Sequence, residues 1–162
     1  VSAPRLHIGR ARWLDLLDEL HVRSEGRHES GAFLLGAIDG ADREVSSIIF
    51  YDDLDANVYL SGVCILEADS FETLWAHCRT TGLKVVADAH LHGNDGRARQ
   101  SSSDRTNPMI AKPGHLALIV PRLAKRPIWR HHLGVYQYLG SHRWMDLSGW
   151  QARSIVKTGT WR

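Results

Sequence analysis

Apolar residues in the first half of the chain follow two different rhythms. Trp13, Leu16, Leu17 and Leu20 recur at i, i+3, i+4 and i+7, which predicts a helix over residues 10–22 with one buried stripe. After the polar, turn-like stretch 24–28, residues 31–38 are almost unbroken apolar, as in a strand covered on both faces. Asp39-Gly40 marks a turn, and residues 44–51 read as the returning strand of a hairpin. Residues 52–57 are acidic and loop-like, while 58–66 read either as loop or as a third strand. The clearest helix covers 69–81. Asp69 and Glu72 fit a capping box, Phe71, Leu74, Trp75 and Cys78 form its apolar stripe, and Gly82 suits the position after its end.

A strand is expected at 84–90, then a polar, glycine-containing loop at 93–100. Residues 101–110 open a short helix that Pro108 stops. Further strands are expected at 115–120 and 129–138. The final twenty or so residues carry Trp144, Trp150 and Trp161, too aromatic for a disordered tail and expected to pack on the body. No repeat, linker or low-complexity tract interrupts this order. It predicts an α/β protein, a mixed sheet with helices packed on it, and 162 residues suit one domain over 1–162.

Composition changes this picture little. Hydrophobic residues make up 43% and charged residues 23%, an ordinary globular balance. The formal net charge of +2 is too mild to point to nucleic acid or an anionic membrane as partner, and no basic aromatic patch stands out. Two cysteines, Cys64 and Cys78, cannot build a disulfide framework and read as buried free thiols in a reducing compartment. No stretch approaches the roughly 20 apolar residues a bilayer span needs, and no signal-peptide pattern opens the chain. The expectation is a soluble, cytoplasmic protein.

Ten histidines make metal or proton chemistry worth seeking. In Asp88-Ala89-His90-Leu91-His92, strand alternation puts both imidazoles on one side, close enough to share an ion. A carboxylate from the next element would complete a set of two imidazoles and one carboxylate. That leaves a fourth position for water or substrate, the usual catalytic zinc arrangement. The following Ser101-Ser102-Ser103-Asp104 supplies that carboxylate. Each fragment alone has a plainer reading. A His-x-His pair is often a solvated strand end, and Ser-x-x-Asp can simply cap the short helix. His115, His131 and His132 read as structural or surface residues, and Asp95 as an outside ligand.

Taken in order, these pieces resemble the JAMM (MPN+, JAB-domain) metallo-isopeptidase motif: an upstream Glu, a His-Ser/Thr-His, and a Ser-x-x-Asp. Glu29 followed by Ser30-Gly31-Ala32-Phe33-Leu34-Leu35-Gly36 is similar to the family's acidic residue before a Gly-containing apolar strand. The likeness is strongest over residues 28–121 and is closest to the compact prokaryotic members. It departs in three places. Eight residues rather than seven separate His92 from Ser101, Leu91 stands where Ser or Thr is usual, and Gly93 where Pro is common.

The resemblance implies a curved mixed sheet flanked by helices, with cytidine-deaminase-like layering. It implies one Zn2+ held by His90, His92 and Asp104, with Glu29 as general base and acid, and Ser101 or Ser102 stabilising the oxyanion. Asp88 either orients an imidazole or bonds elsewhere. The implied activity is cleavage of the amide after the C-terminus of a ubiquitin-like protein, in a bacterial pathway with E1-like and E2-like partners. Maturation of a ubiquitin-like or sulfur-carrier precursor and a non-catalytic scaffold role are the alternatives.

Overall fold

The computed structural model describes residues 3–159. Its strands are β1 (Arg5–His7), β2 (Gly31–Asp39), β3 (Asp42–Phe50), β4 (Lys84–Leu91), β5 (Leu116–Val120), β6 (Gly134–Gly140), β7 (Arg143–Asp146) and β8 (Val156–Lys157). Its α-helices are α1 (Arg10–Arg23), α2 (Tyr51–Leu54), α3 (Ala68–Thr81), α4 (Ser102–Thr106) and α5 (Ala152–Ile155). The strands form one curled mixed sheet in the order β7-β6-β5-β4-β2-β3-β1-β8, flanked by helices as expected. Its two edges are its short β7 and β8, which limits the unpaired backbone offered to other chains.

The sheet separates two cores. On one face, Trp13, Leu16, Leu17 and Leu20 of α1 meet Ala32 and Leu34 of β2, Ala87, Ala89 and Leu91 of β4, and Leu118 and Val120 of β5. On the other face, Leu74 of α3 packs with Phe33, Leu35, Tyr51 and Val58. The unbroken apolar run of β2 is explained by these two covers, because Gly31 to Gly36 are all buried. β4 carries a bulge. Ala87 pairs with Leu34 but Val85 with Leu35, so Val86 is the extra residue. Val85 faces the α3 side, Val86 and Ala87 both join the α1 side, and the alternation restarts with Asp88 and His90 on the α3 side. Bulges re-aim side chains in this way. The buried Arg43 guanidinium of β3 holds this one, donating to the carbonyls of Val86 and Gly114.

Several expectations need correcting. Of the two readings for residues 58–66, the loop holds: 58–61 turn, 62–63 bend and 64–66 are irregular, with Ile65 N donating to Val58 O at 3.4 Å. The acidic stretch after β3 begins as the short helix α2. The Asp69–Glu72 capping box does not form: α3 starts one residue earlier, at Ala68, after an N-cap Glu67 that makes no side-chain cap bond. Trp75 flanks the buried stripe of α3 and is 38% exposed. Residues 129–133 make a 3-10 turn at Arg130–His132, so the strand begins only at Gly134. Three short strands, β1, β7 and β8, went unread. Of the tryptophans, Trp144 lies half-buried on β7, Trp150 is 70% exposed, and Trp161 falls outside the described residues. Among the described residues, no helix is long and apolar enough to cross a membrane.

Candidate functional site

The catalytic candidates converge at the C-terminal end of β4, on the α3 side of the sheet. Ser30 anchors the entry to β2. Its buried hydroxyl donates to Leu20 O at 2.7 Å, and its carbonyl accepts from Leu91 N at 3.0 Å. Glu29, one residue earlier, is thereby held beside the end of β4, its Oε1 3.7 Å from His92 Nε2. Glu25, its nearest competitor in sequence, instead pairs with Arg27 at the surface. The rings of His90 and His92 lie 5.1 Å apart, tilted by 61°.

Asp104 comes from α4, where Ser-x-x-Asp caps the helix while the carboxylate stays beside the imidazoles. Ser101 Oγ accepts from Asp104 N at 3.1 Å, and Asp104 Oδ2 accepts from Ser101 N at 2.7 Å, a reciprocal capping box. The same carboxylate points its Oδ1 at His90 Nε2 (3.4 Å) and its Oδ2 at His92 Nε2 (3.3 Å). One ligand atom each from His90, His92 and Asp104 can be chosen so that all lie within 4.8 Å of one another. Ser101 borders the cleft and Ser102 does not. The exposed Asp95 is not part of this group.

Whether these donors suit a cation can be judged from the site itself. His90 Nε2 is buried and has no hydrogen-bond partner. Burial opposes charge on this imidazole, yet the carboxylates of Asp104 and Asp88 outweigh it and carry its pKa up to about 10. Burial likewise opposes charge on Asp104, but the two imidazoles and the Ser101 amide hold its carboxyl far below the usual range. For Glu29 the balance runs the other way: burial dominates and raises its pKa. The cluster thus demands positive charge between the imidazoles and leaves one carboxyl closer to neutrality. A divalent ion on two neutral imidazoles and a carboxylate fits that demand.

Of the two expectations for Asp88, the structure shows the second: it bonds to other side chains. Its closest partner is the buried His115, Nε2 to Oδ1 at 2.6 Å, and the buried Tyr51 hydroxyl donates to its Oδ2 at 3.3 Å. It faces His90 Nδ1 at 3.8 Å, too long for a hydrogen bond. His115 and Tyr51 therefore support the floor of the site, which gives His115 the structural one of its two expected places and Tyr51 a role the sequence did not mark. Chain order gives no cue for it, since the 37 and 27 positions separating them from Asp88 are bridged only by the sheet.

A cleft of about 780 Å3 opens over Glu29, His90 and Asp104. Val63, Ile65, Leu66, Phe71, Met109 and Trp144 give it an apolar wall. Gln100 also lines it and keeps a buried, unpartnered carboxamide oxygen. Cys64 borders the same cleft, and burial, reinforced by the neighbouring carboxylates, pushes its thiol well above the ordinary range. It sits there as a neutral thiol, not as a thiolate nucleophile.

No family model matches the chain. A protein of Sinorhizobium fredii named as a probable metalloprotease is 26% identical to it over 135 residues, covering 80% of each chain. Among solved structures, a Desulfitobacterium hafniense protein superposes with a TM-score of 0.65 at 18% identity, covering 94% of this chain and 93% of that one. A Salinibacter ruber protein does so with a TM-score of 0.53 at 23% identity, covering 88% of each. The solved structures speak to the fold, a compact α/β domain. The distant relative, together with the His90–His92–Asp104 cluster, supports a metalloprotease-like family and a peptidase activity.

Proposed function

We propose that the protein is a zinc-dependent isopeptidase that hydrolyses the amide after the C-terminus of a ubiquitin-like protein. The observation that carries the hydrolase reading is the placement of Glu29 3.7 Å from His92, beside a cluster of two histidines and an aspartate in which the buried His90 Nε2 lacks a partner. His90, His92 and Asp104 would hold the ion. When bound, it supplies Lewis acidity that polarises the scissile carbonyl and lowers the pKa of water.

The remaining work falls to side chains. Glu29, desolvated and raised in pKa, accepts the proton of the attacking water as the new C–O bond forms. It returns that proton to the nitrogen as the C–N bond breaks, leaving a free amine and a carboxylic acid that ionises to solvent. Ser101 Oγ already accepts from Asp104 N, so its hydroxyl hydrogen remains available to donate to the developing oxyanion. Gln100 and the apolar side chains of Val63, Ile65, Leu66 and Phe71 line the cleft in which the substrate would lie.

The ubiquitin-like substrate rests on the motif likeness described above. The compact form supports a bacterial conjugation pathway with E1-like and E2-like partners, and cleavage of an unprocessed precursor uses the same chemistry. The test is cleavage of a ubiquitin-like precursor and of its lysine-linked conjugate, with and without chelator and with zinc restored. Zinc-restored cleavage, abolished in Glu29→Gln with metal content retained, is the expected result. Full activity of Glu29→Gln or of the chelated protein would refute the mechanism.

A further inference from the structure

The mild net charge conceals a strong asymmetry. Residues 96–162 hold twelve of the twenty lysines and arginines but two of the eighteen aspartates and glutamates. Unequal charge between parts of a chain points to a charged partner more directly than the total does.

Part of this excess lies directly beside the catalytic candidates. A second, shallower depression of about 320 Å3 is lined by His92, Asn94, Arg97, Arg99 and Ser101. Between the two exposed arginines, Ala98 is fully buried and donates its N–H to His132 O at 2.9 Å, so the loop is pinned there. Among the described residues neither arginine pairs with a carboxylate, although Asp95 lies on the same loop. The Arg97 guanidinium rests against Gly149, 3.1 Å from where a Cβ would stand. Beyond it Trp150 stacks on His131 at 4.7 Å and 14°, with the Arg153 guanidinium 5.4 Å from its ring. A basic surface with exposed aromatic rings therefore runs outward from His92 and Ser101, contrary to the absence expected from the sequence.

We propose that Arg97 and Arg99, backed by Trp150 and Arg153, form a specificity groove that receives an acidic stretch of the polypeptide substrate on one side of the scissile bond. This rests on the hydrolase reading above. The groove opens at two residues of the site, so its occupant lies within a residue or two of the bond being cut. The larger cleft beside it is lined by Val63, Ile65, Leu66 and Phe71, so a chain that spans both meets different chemistry in each. An acidic peptide fits better than nucleic acid because one face of Trp150 is already covered by His131, which removes half of a base-stacking platform.

The test uses the zinc-loaded full chain and matched quenched-fluorescent peptides carrying Asp-Glu, Ser-Ser or Lys-Lys on either side of a Gly-Gly bond. One acidic placement should raise kcat/KM by on the order of tenfold at low salt, mainly through KM, and the gain should shrink in high salt. Arg97→Glu/Arg99→Glu should invert the preference toward Lys-Lys. Equal rates for all peptides, or a preference unchanged in the double variant, overturn the groove while leaving the hydrolase standing. If no peptide is cut, the precursor and conjugate assays above decide the hydrolase reading, and anisotropy of a labelled Asp/Glu decamer decides the groove alone. Binding weakened by the double charge reversal supports it. Absent binding, or tighter binding of a single-stranded oligonucleotide of equal length, overturns it.

Discussion

Replacing Gly31 by alanine tests how the site is braced from below. The added Cβ would stand 2.2 Å from Tyr51 Cε2, 2.6 Å from Cδ2 and 2.8 Å from Cζ, against the roughly 3.5–4.0 Å of ordinary carbon contact. The Tyr51 ring has no room to yield. It is fully buried, packs on Phe33 at a centroid distance of 4.8 Å, and donates its hydroxyl to Asp88. Overpacking of this kind costs about 1–3 kcal/mol, and loosening the Tyr51–Asp88 bond adds about 1 kcal/mol. The loss of unfolded-chain freedom returns only about 0.4–1 kcal/mol. The net cost of roughly 1–3 kcal/mol corresponds to a melting point lowered by roughly 3–10 °C for a chain of this size. Since Gly31 is the ladder partner of His90, metal affinity should fall as well. The assay is a double-mutant cycle of thermal and urea melts on Gly31→Ala, Tyr51→Leu and the pair. With the ring removed, Gly31→Ala should cost close to nothing. A Gly31→Ala protein that melts with the wild type, or one whose cost is the same in both backgrounds, would refute the reasoning.

The buried Asp88–His115 pair gives a pH-dependent test. Burial alone would raise the Asp88 carboxyl, but His115 and His90 hold it below its ordinary value of about 3.9. A depressed folded pKa contributes stability above the unfolded pKa and loses it as pH falls through the folded one. Asp88→Asn should therefore be destabilised at pH 7, by about 1.5–3 kcal/mol for the weakened hydrogen bonds to a charged group, with the gap to wild type closing below about pH 4. Equal denaturant midpoints at pH 7 would count against it. Chelation should lower the melting point, and zinc at about 100 times its Kd should restore about 2.7 kcal/mol, an increment His90→Ala should lack by calorimetry. Cys64, raised by burial, should react with iodoacetamide at pH 8 at least about tenfold more slowly than free cysteine, and peptide cleavage should survive the treatment. Rapid, inactivating alkylation would contradict its placement.

Periodicity alone determined most of the scaffold here. The i, i+3, i+4, i+7 stripe of α1 and the double-sided apolar run of β2 each admit one economical burial, so local pattern and global fold agree. The ligand candidates were legible only together: His90-Leu91-His92 and the capping Ser101-x-x-Asp104 each have a plainer reading alone, and it is their order after Glu29 that resembles a known motif. Short elements were not legible. β1, β7 and β8 are two to four residues long, and their stability comes from pairing with distant strands, not from their own pattern. Tertiary structure also decided which face the imidazoles occupy. The Val86 bulge resets the alternation of β4 opposite Leu34 and Leu35, and Arg43 from β3 donates to its carbonyl. The partner of Asp88 and the presence of Ser101 rather than Ser102 on the cleft wall were decided in the same way. Local spacing carries information over a few residues, whereas contacts between positions dozens apart depend on sheet register, which only the folded chain possesses.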